Sequence, residues 1–478
     1  MKKHKSKSKV KTVSKEKFYG NTKKKKSESP KRFDLRGILL RLYPNKDQAS
    51  LMRQYGGCNR LLYNSALYLK LDAIEQKAIE QQFEYEMAYE FQGEPIPDIY
   101  NMLSIKDGIS LGDFGKLLTS MKQTGKYAFL KDYNTNILQQ TFIDLNQAWS
   151  NHYKFPWHFD EPTYKKKSKH RDSFRVPIRA IPGGQSKTGP NCIHGNRITI
   201  CTGLEDIHYK CSVKDEKFLN ANQSKIKSIT ITIDNTGYFY ASVLITDEPA
   251  FAEANDRMFS FDLGLKEFLI GKKARFITDD MGYIVICDDY NVLKEENNPL
   301  SEHYKHIENP HFLKEEEDKI KHHQRLLSRK VCGSNRYEKE RKTLAKTIRK
   351  PANRRKDFQH KKSTEIVSEN QVISLENLNI VGMSANHNLA KSIQDAAWSQ
   401  FTRMIEYKSL KYGRTVIKND TFFPSSKTCS NCGARYGGLK LSEREWVCPV
   451  CGAHHHRDRN AANEIELNGV KMYNERIS

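Results

Sequence analysis

The stretch CSNCGARYGGLKLSEREWVCPVCGAHHHRDRNAANEI, residues 429–465, holds two Cys-x-x-Cys pairs, Cys429/Cys432 and Cys448/Cys451, with fifteen residues between them. That spacing suits a tetrahedral zinc site with four thiolate ligands, because each pair closes a tight turn that aims two sulfurs at one ion. Four unrelated thiols or two disulfides are the duller alternative. Directly after the second pair, Asp458 opens an alanine-rich run. Ala461, Ala462 and Ile465 follow it at i+3, i+4 and i+7, on one helical face with Asp458. The two alanines let such a helix lie close to a neighbouring sheet. A metal-stabilised module therefore abuts an acid at a helix start.

Upstream, two other acids occupy the ends of strand-like runs. Met258–Asp262 is apolar and closes at Asp262-Leu263-Gly264, and Val372-Ile373-Ser374-Leu375-Glu376 closes at Glu376. Three converging carboxylates repel one another unless cations intervene. Two Mg²⁺ ions roughly 3.5–4 Å apart would relieve this, one activating water and one stabilising the leaving oxygen of a phosphodiester. Each acid has a plainer role open to it: Asp262 as a turn former, Glu376 as a solvated strand end, Asp458 as a helix N-cap.

Around these residues the chain reads as multidomain, α/β and α+β in class. A β-rich lobe is expected from residues 33–45 and 155–255, carrying runs such as Ile226–Asp234 and Tyr238–Thr246, with a helical insertion over 46–154. An RNase H-like lobe is expected from residues 256–420 and 453–478, with the zinc ribbon inserted at 421–452. Its order is a strand meander, a basic helical hairpin broken at Gly333-Ser334, strand 372–376, helix 391–412, strand 415–418 and a last helix from 459. Cys192, His194, Cys201, His208 and Cys211 fit no standard metal spacing and read as ordinary packing.

Charge points to a polyanionic partner. The 478 residues carry a formal +23, of which residues 1–32 contribute +12 as a Lys-rich, nearly apolar tail expected to be disordered. Residues 319–362 hold 17 Lys/Arg against 3 acids. A helical hairpin this basic repels itself unless polyanions neutralise it, so nucleic acid is the expected partner. No apolar run is long enough to span a membrane, so no membrane partner is expected. With no N-terminal signal peptide, the scattered cysteines read as reduced thiols of a cytoplasmic protein.

These residues resemble the TnpB family of transposon-encoded RNA-guided nucleases and the compact type V CRISPR effectors related to it. The likeness is carried by Arg41-Leu42-Tyr43-Pro44, by residues 57–64 (GCNRLLYN), by Phe261-Asp262-Leu263-Gly264 and by residues 353–361 (NRRKDFQHK). It continues through Ser374-Leu375-Glu376-Asn377-Leu378, and most specifically through Phe423–Gly433 and Arg457–Ala462. The resemblance implies a RuvC-type catalytic and Mg²⁺-binding triad on Asp262, Glu376 and Asp458, and a structural zinc on Cys429, Cys432, Cys448 and Cys451. It implies a guide RNA of transposon or CRISPR origin, double-stranded target DNA cut beside a short adjacent motif, and a monomer or homodimer on the RNA, in the bacterial cytoplasm or nucleoid. By the same analogy, Tyr55, Tyr63, Asn64, Thr119, Lys122 and Gln123 lie near the adjacent motif, while Arg354, Arg355 and Lys356 meet nucleic-acid backbone. The chain departs from the family in its basic tail, in an expanded 278–318 region with the acidic run Glu315–Asp318, and in His455-His456 where the family shows His-Asp. A nuclease-silent RNA-guided DNA-binding regulator and an RNA-independent RuvC-like resolvase are the other readings.

Overall fold

The computed structural model describes residues 35–90, 109–156, 159–167, 171–186, 189–247, 251–287, 303–421, 423–440 and 443–477. The basic tail and the expected helix break at Pro95 and Pro97 lie outside these residues. Strand β1 (Leu35–Tyr43) alternates exposed and buried side chains, so Ile38, Leu40 and Leu42 point into a core while Leu39 and Tyr43 face out. It lies inside a seven-stranded sheet with β2 (Asp172–Pro177), β3 (Ile193–His194), β4 (Arg197–Ile198), β5 (Ile207–Lys210), β6 (Ile226–Ile233) and β7 (Phe239–Thr246), in the order β2-β6-β7-β1-β5-β4-β3. The run at 197–201 forms only the two-residue β4. Helix α4 (Val213–Ala221) leads into β6.

Between β1 and β2 rise the helices α1 (Lys46–Glu90), α2 (Leu111–Gln123) and α3 (Thr135–Lys154). They enclose a separate core built on Leu62, Phe114, Phe142 and Trp149. Helix α2 starts at Ser110, where a capping box with Asp113 satisfies both free amides of the turn. The start of α1 packs instead on the sheet, so Met52 and Tyr55 belong to the sheet's core.

The second lobe is an α/β sheet of β8 (Arg257–Leu263), β9 (Glu267–Thr278), β10 (Ile284–Ile286), β11 (Tyr304–Glu308), β12 (Val372–Leu375) and β13 (Thr415–Lys418). Its order is β10-β9-β8-β12-β13, with β11 also on β9. Strands β8, β12 and β13 run parallel, and β9 is antiparallel to β8. Helices α5 (Phe312–Ser328), α6 (Asn335–Glu369), α7 (Ile380–Ser384), α8 (His387–Ala396) and α9 (Trp398–Tyr412) gather around it. Phe259, Phe261, Phe268, Trp398 and Phe401 fill the space between sheet and α9, all nearly inaccessible. Burying each such ring contributes on the order of 1.5–3 kcal/mol. The expected single helix at 391–412 is divided at Ala397, whose φ of +51° ends α8 and starts α9.

The basic hairpin corrects the expectation of an uncompensated positive surface. Ten of its 17 Lys/Arg have carboxylate partners. The acidic run at the start of α5 supplies several of them. Glu316, 4% exposed, takes Lys350 at 2.5 Å and Lys319 at 3.2 Å, and Glu315 takes Arg354. Charges eight or more helical turns apart in sequence meet because α5 folds back on α6. No helix among the described residues is long and apolar enough to cross a membrane.

Candidate active site

Parallel pairing of β8 with β12 sets Phe261 beside Leu375, so Asp262 and Glu376 leave the carboxyl ends of adjacent strands side by side. Ligand sites of open α/β sheets form at such strand ends. Helix α10 (Arg457–Glu475) crosses the same sheet and begins there, with Asp458 in its first turn. Its approach is close for a visible reason. Ala461, Ala462 and Ile465 are fully buried, and Gly469 rests on Ser374, where a Cβ would stand 2.4 Å from the serine Oγ. Ser374 Oγ donates to Ile465 O at 2.9 Å, and Asn419 Nδ2 donates to Ser374 Oγ at 3.1 Å. Lys272 Nζ meets Glu466 at 2.8 Å on the next helical turn.

The three acids share one recess. Burial pushes the Asp262 carboxyl well above the usual carboxylate range; the facing Glu376, with which it shares a hydrogen bond, and then Asp458 push in the same direction. Asp262 and Asp458 line a small pocket with Gly264, Lys266 and Arg444. Arg444 Nη1 donates to both Asp458 oxygens at 2.8 Å. A guanidinium thus already occupies one carboxylate, while Asp262 shares a hydrogen bond with Glu376 and accepts one from the Leu263 backbone. Converging carboxylate oxygens are a donor set suited to hard divalent cations, and Asp262, Glu376 and Asp458 would hold them.

Beside the acids, the four cysteine sulfurs lie within 4.8 Å of one another, a group that could hold a metal ion. The two halves repeat one geometry. Gly433 N donates to Cys429 O and Gly452 N to Cys448 O, and both glycines have positive φ, near +70°, which a side chain would strain. Asn431 Nδ2 donates to Cys451 Sγ at 3.5 Å and heads the causes that hold that thiol down at about 6. This favours the thiolate a zinc ion needs. Strands β14 (Glu445–Val447) and β15 (His454–His456) brace the knuckles, with Trp446 between Tyr436 and His455. His455 Nε2 is 3.0 Å from Cys429 Sγ, a neighbour that spacing alone did not single out.

Asn460 joins the two assemblies. Almost wholly buried, it accepts from Ser430 N at 3.0 Å and donates to Thr428 O at 2.6 Å and Ser425 O at 3.3 Å. One side chain on α10, two residues after Asp458, therefore holds the first cysteine knuckle by three backbone contacts.

The expected nucleic-acid contacts divide. Tyr55 is a correction: it is 4% exposed, its hydroxyl accepts from Asn134 N, and burial pushes its pKa up to about 12. It is a core residue because its turn of α1 faces the sheet. Arg355 is likewise turned inward, onto the buried Asp395, and Arg354 pairs with Glu315. Lys356 is exposed and has no carboxylate partner among the described residues. Tyr63 lies under Lys165 Nζ, 3.9 Å from its ring centre, and Asn64 exchanges two hydrogen bonds with the Lys165 backbone. Thr119 bonds Gly115 O, Lys122 bonds Thr135 Oγ1, and Gln123 is exposed. Asn64 lines an open cleft of about 650 Å³ together with Arg60, which the 57–64 motif contains, and with Tyr68, Leu117 and Lys165, which no motif had named.

Fold and site together define a two-lobed α/β protein whose RNase H-like lobe carries three carboxylates braced by a zinc ribbon. Three family models match the chain: a "Cas12f1-like, TNB domain" over residues 398–465, a "Probable transposase" over 296–387 and a "Helix-turn-helix domain" over 35–78. It is 28% identical to a "Putative RNA-guided DNA endonuclease" of Streptomyces pristinaespiralis, covering 91% of this chain and 89% of that one. It is 23% identical to the "Putative RNA-guided DNA endonuclease InsQ" of Escherichia coli strain K12, covering 90% and 91%. Among solved structures, a chain of a Cas12f1-sgRNA-target DNA complex aligns with a TM-score of 0.43 at 13% identity, over 90% of this chain and 98% of that one. Along most of its length the chain is thus similar to the TnpB family.

Proposed function

We propose that this protein is an RNA-guided DNA endonuclease that hydrolyses target DNA in a single RuvC-like site next to a short adjacent motif. The observation that carries the reading is the convergence of Asp262, Glu376 and Asp458 at one sheet edge, with Asp262 held protonation-prone by its neighbours. The names of the relatives that match along most of the chain support it.

Two divalent cations bound by the three acids would supply charge neutralisation at the phosphodiester and a water of lowered pKa. The protein's own part is positional. Strands β8 and β12 fix two carboxylates on a rigid base, and α10 presents the third. Asp262, deprotonated once counter-charge is present, and Glu376 together orient oxygen donors on one side of the scissile phosphate. Arg444, which pairs with Asp458 at the rim of the recess, would be free to meet a phosphate oxygen when Asp458 holds a cation. Four cysteines keep the ribbon folded so that Arg444 and Asp458 stay in register.

Sequence readout follows from base pairing between guide and target strand, with the protein gripping backbone. Asn64 lines the α1–α2 cleft, which we assign to the motif-bearing duplex; we assign Tyr63, Thr119, Lys122 and Gln123 to the same duplex, and Lys356 to nucleic-acid backbone. The test is a plasmid library bearing randomised flanks, challenged with protein co-expressed with its flanking RNA, in Mg²⁺ and in EDTA. Motif-dependent cleavage in Mg²⁺ alone supports the reading. Cleavage of bare branched DNA by RNA-free protein, or target binding without scission, would replace it with a resolvase or a regulator.

A further inference from the structure

The acidic recess borders a titratable pair that the three acids do not account for. Strand β9 lies between β8 and β11, and register sets Asp262 opposite Ile270 and Ile270 opposite His306. Residues directly opposite share a sheet face, so His306 projects from the face that carries Asp262, two strands away. Two strand spacings put their backbones on the order of 10 Å apart. Tyr304, next but one along β11, lies on the same face, and its hydroxyl donates to Asn463 Oδ1 on α10 at 2.8 Å. Arg459, the neighbour of Asp458, stands 5.4 Å from the Tyr304 ring centre.

Glu267 reaches His306 because β9 is irregular. Between the pairs Ile307–Leu269 and Glu308–Glu267 the register shifts, which leaves Phe268 as an extra residue. Phe268 and Leu269 both enter the core against α9, so Glu267 falls on the opposite face with Ile270. There it lines the recess together with Asp262, Lys266, Arg444 and Asp458. His306 Nδ1 donates to Glu267 Oε2 at 2.8 Å, and Nε2 has no partner among the described residues. A carboxylate only accepts, so it fixes the hydrogen on Nδ1 and keeps Nε2 as the position that exchanges protons. The two side chains are 34% and 32% exposed, and a pair this exposed adds little stability. Five paired residues already hold β11 to β9. What the pair adds is an oriented imidazole at the rim of the recess.

We propose that His306, oriented by Glu267, gives the departing oxygen its proton when the phosphodiester is cut. The proposal rests on the nuclease reading above. Hydrolysis forms a bond from phosphorus to the oxygen of water, and the bond from phosphorus to the departing oxygen breaks with its electron pair on that oxygen. The water's proton passes to solvent. His306 enters as imidazolium, and its Nε2 proton passes to the departing oxygen. A hydroxyl end results, with a neutral imidazole still bonded to Glu267, and solvent restores the ring's proton. Other groups of the recess serve this step poorly. Asp262, Glu376 and Asp458 are ionised when they hold cations, and a guanidinium such as that of Arg444 does not release its proton. Imidazole is the side chain that exchanges a proton near neutrality. Lys266, an ammonium lining the same recess, is the rival donor.

The test uses the full-length protein with its co-expressed flanking RNA, assembled on target duplex in EDTA and started with Mg²⁺, so that strand opening precedes the measured step. Product ends on the ordinary target identify the departing oxygen, and a second target carries sulfur in its place at that bond. A thiolate leaves without a proton, so each variant's rate relative to wild type on the two targets reports the donor. His306→Gln is expected to cut the oxygen target about a hundredfold more slowly, the usual weight of general acid catalysis, and the sulfur target at nearly the wild-type rate. Glu267→Gln, acting through the ring, is expected to lose less on oxygen and to be restored by sulfur in the same way. Lys266→Gln is expected to lose equally on both targets. Mg²⁺ binding by calorimetry and the melting temperature of His306→Gln should match wild type, since His306 holds neither cation nor fold. Equal loss of His306→Gln on both targets, no loss on oxygen, or restoration of Lys266→Gln by sulfur in its stead overturns the proposal while wild type still cuts. Wild type that cuts neither target overturns the nuclease reading, and this step with it.

Discussion

The zinc ribbon and the acidic recess adjoin at the start of α10, yet they gather their ligands in opposite ways. Each cysteine pair spans four residues and is closed by its own glycine turn, so half of the ribbon's geometry is local. The acids come from positions 262, 376 and 458 and meet only because β8, β12 and α10 share one sheet edge. The ribbon is thus a scaffold that makes itself, given zinc. The recess is assembled by everything else, and burial, with Glu376 and Asp458 beside it, pushes the Asp262 carboxyl up. Ligands brought together at a cost to stability are a mark of chemistry, whereas four thiols gathered by their own turns suit a structural ion.

The difference is open to attack in order of size. Asp262→Ala should abolish cleavage, by at least about a hundredfold given that even outer-shell partners of a metal site are worth 10–100-fold. Zinc content should remain at one per chain, and the melting temperature should not fall, because the substitution relieves repulsion. A destabilised Asp262→Ala protein would mean that the recess is structural after all. Cys448→Ser should strike both assemblies, losing zinc by metal analysis and with it most cleavage. Wild-type cleavage together with wild-type zinc content would break the coupling between ribbon and recess.

Asn460→Ala should separate the two. Its three backbone contacts are lost in a buried place, a cost of roughly 1–3 kcal/mol per unsatisfied group. Zinc should stay while cleavage drops in part, and a Cys448→Ser-like loss of zinc would show that the junction belongs to the ribbon. The smallest effect is expected from Arg444→Ala. An exposed pair is worth about 0.2–1 kcal/mol, so removing the competitor for Asp458 should raise Mg²⁺ affinity of the RNA-free protein up to about fivefold by calorimetry. Cleavage should nevertheless fall if the freed guanidinium serves a phosphate. Unchanged affinity would show that Arg444 does not occupy a metal position.

Much of this was legible beforehand because periodicity and spacing are local. The apolar runs 258–262 and 372–375 formed the two parallel strands, and the alanine face of 458–465 became the buried face of α10. Other features depended on which surface met which. Tyr55 has the residue type of a nucleic-acid contact, but its helical turn lies on the sheet. Arg354 and Arg355 look like backbone binders until α5 and α8 bring Glu315 and Asp395 to them. Nothing in the spacing marked Arg444 or His455, since one faces Asp458 across a β-hairpin and the other reaches Cys429 through the zinc knuckle.

The sequence by itself determined the ligand chemistry: four thiols at turn spacing, three acids at element ends, and a positive surplus that only a polyanion can balance. Tertiary structure alone decided which acids converge, which cations remain free and which rings stay exposed. The reason is physical. Hydrogen-bonded turns and helical faces act over a few residues, while charge compensation and burial depend on contacts between elements hundreds of residues apart.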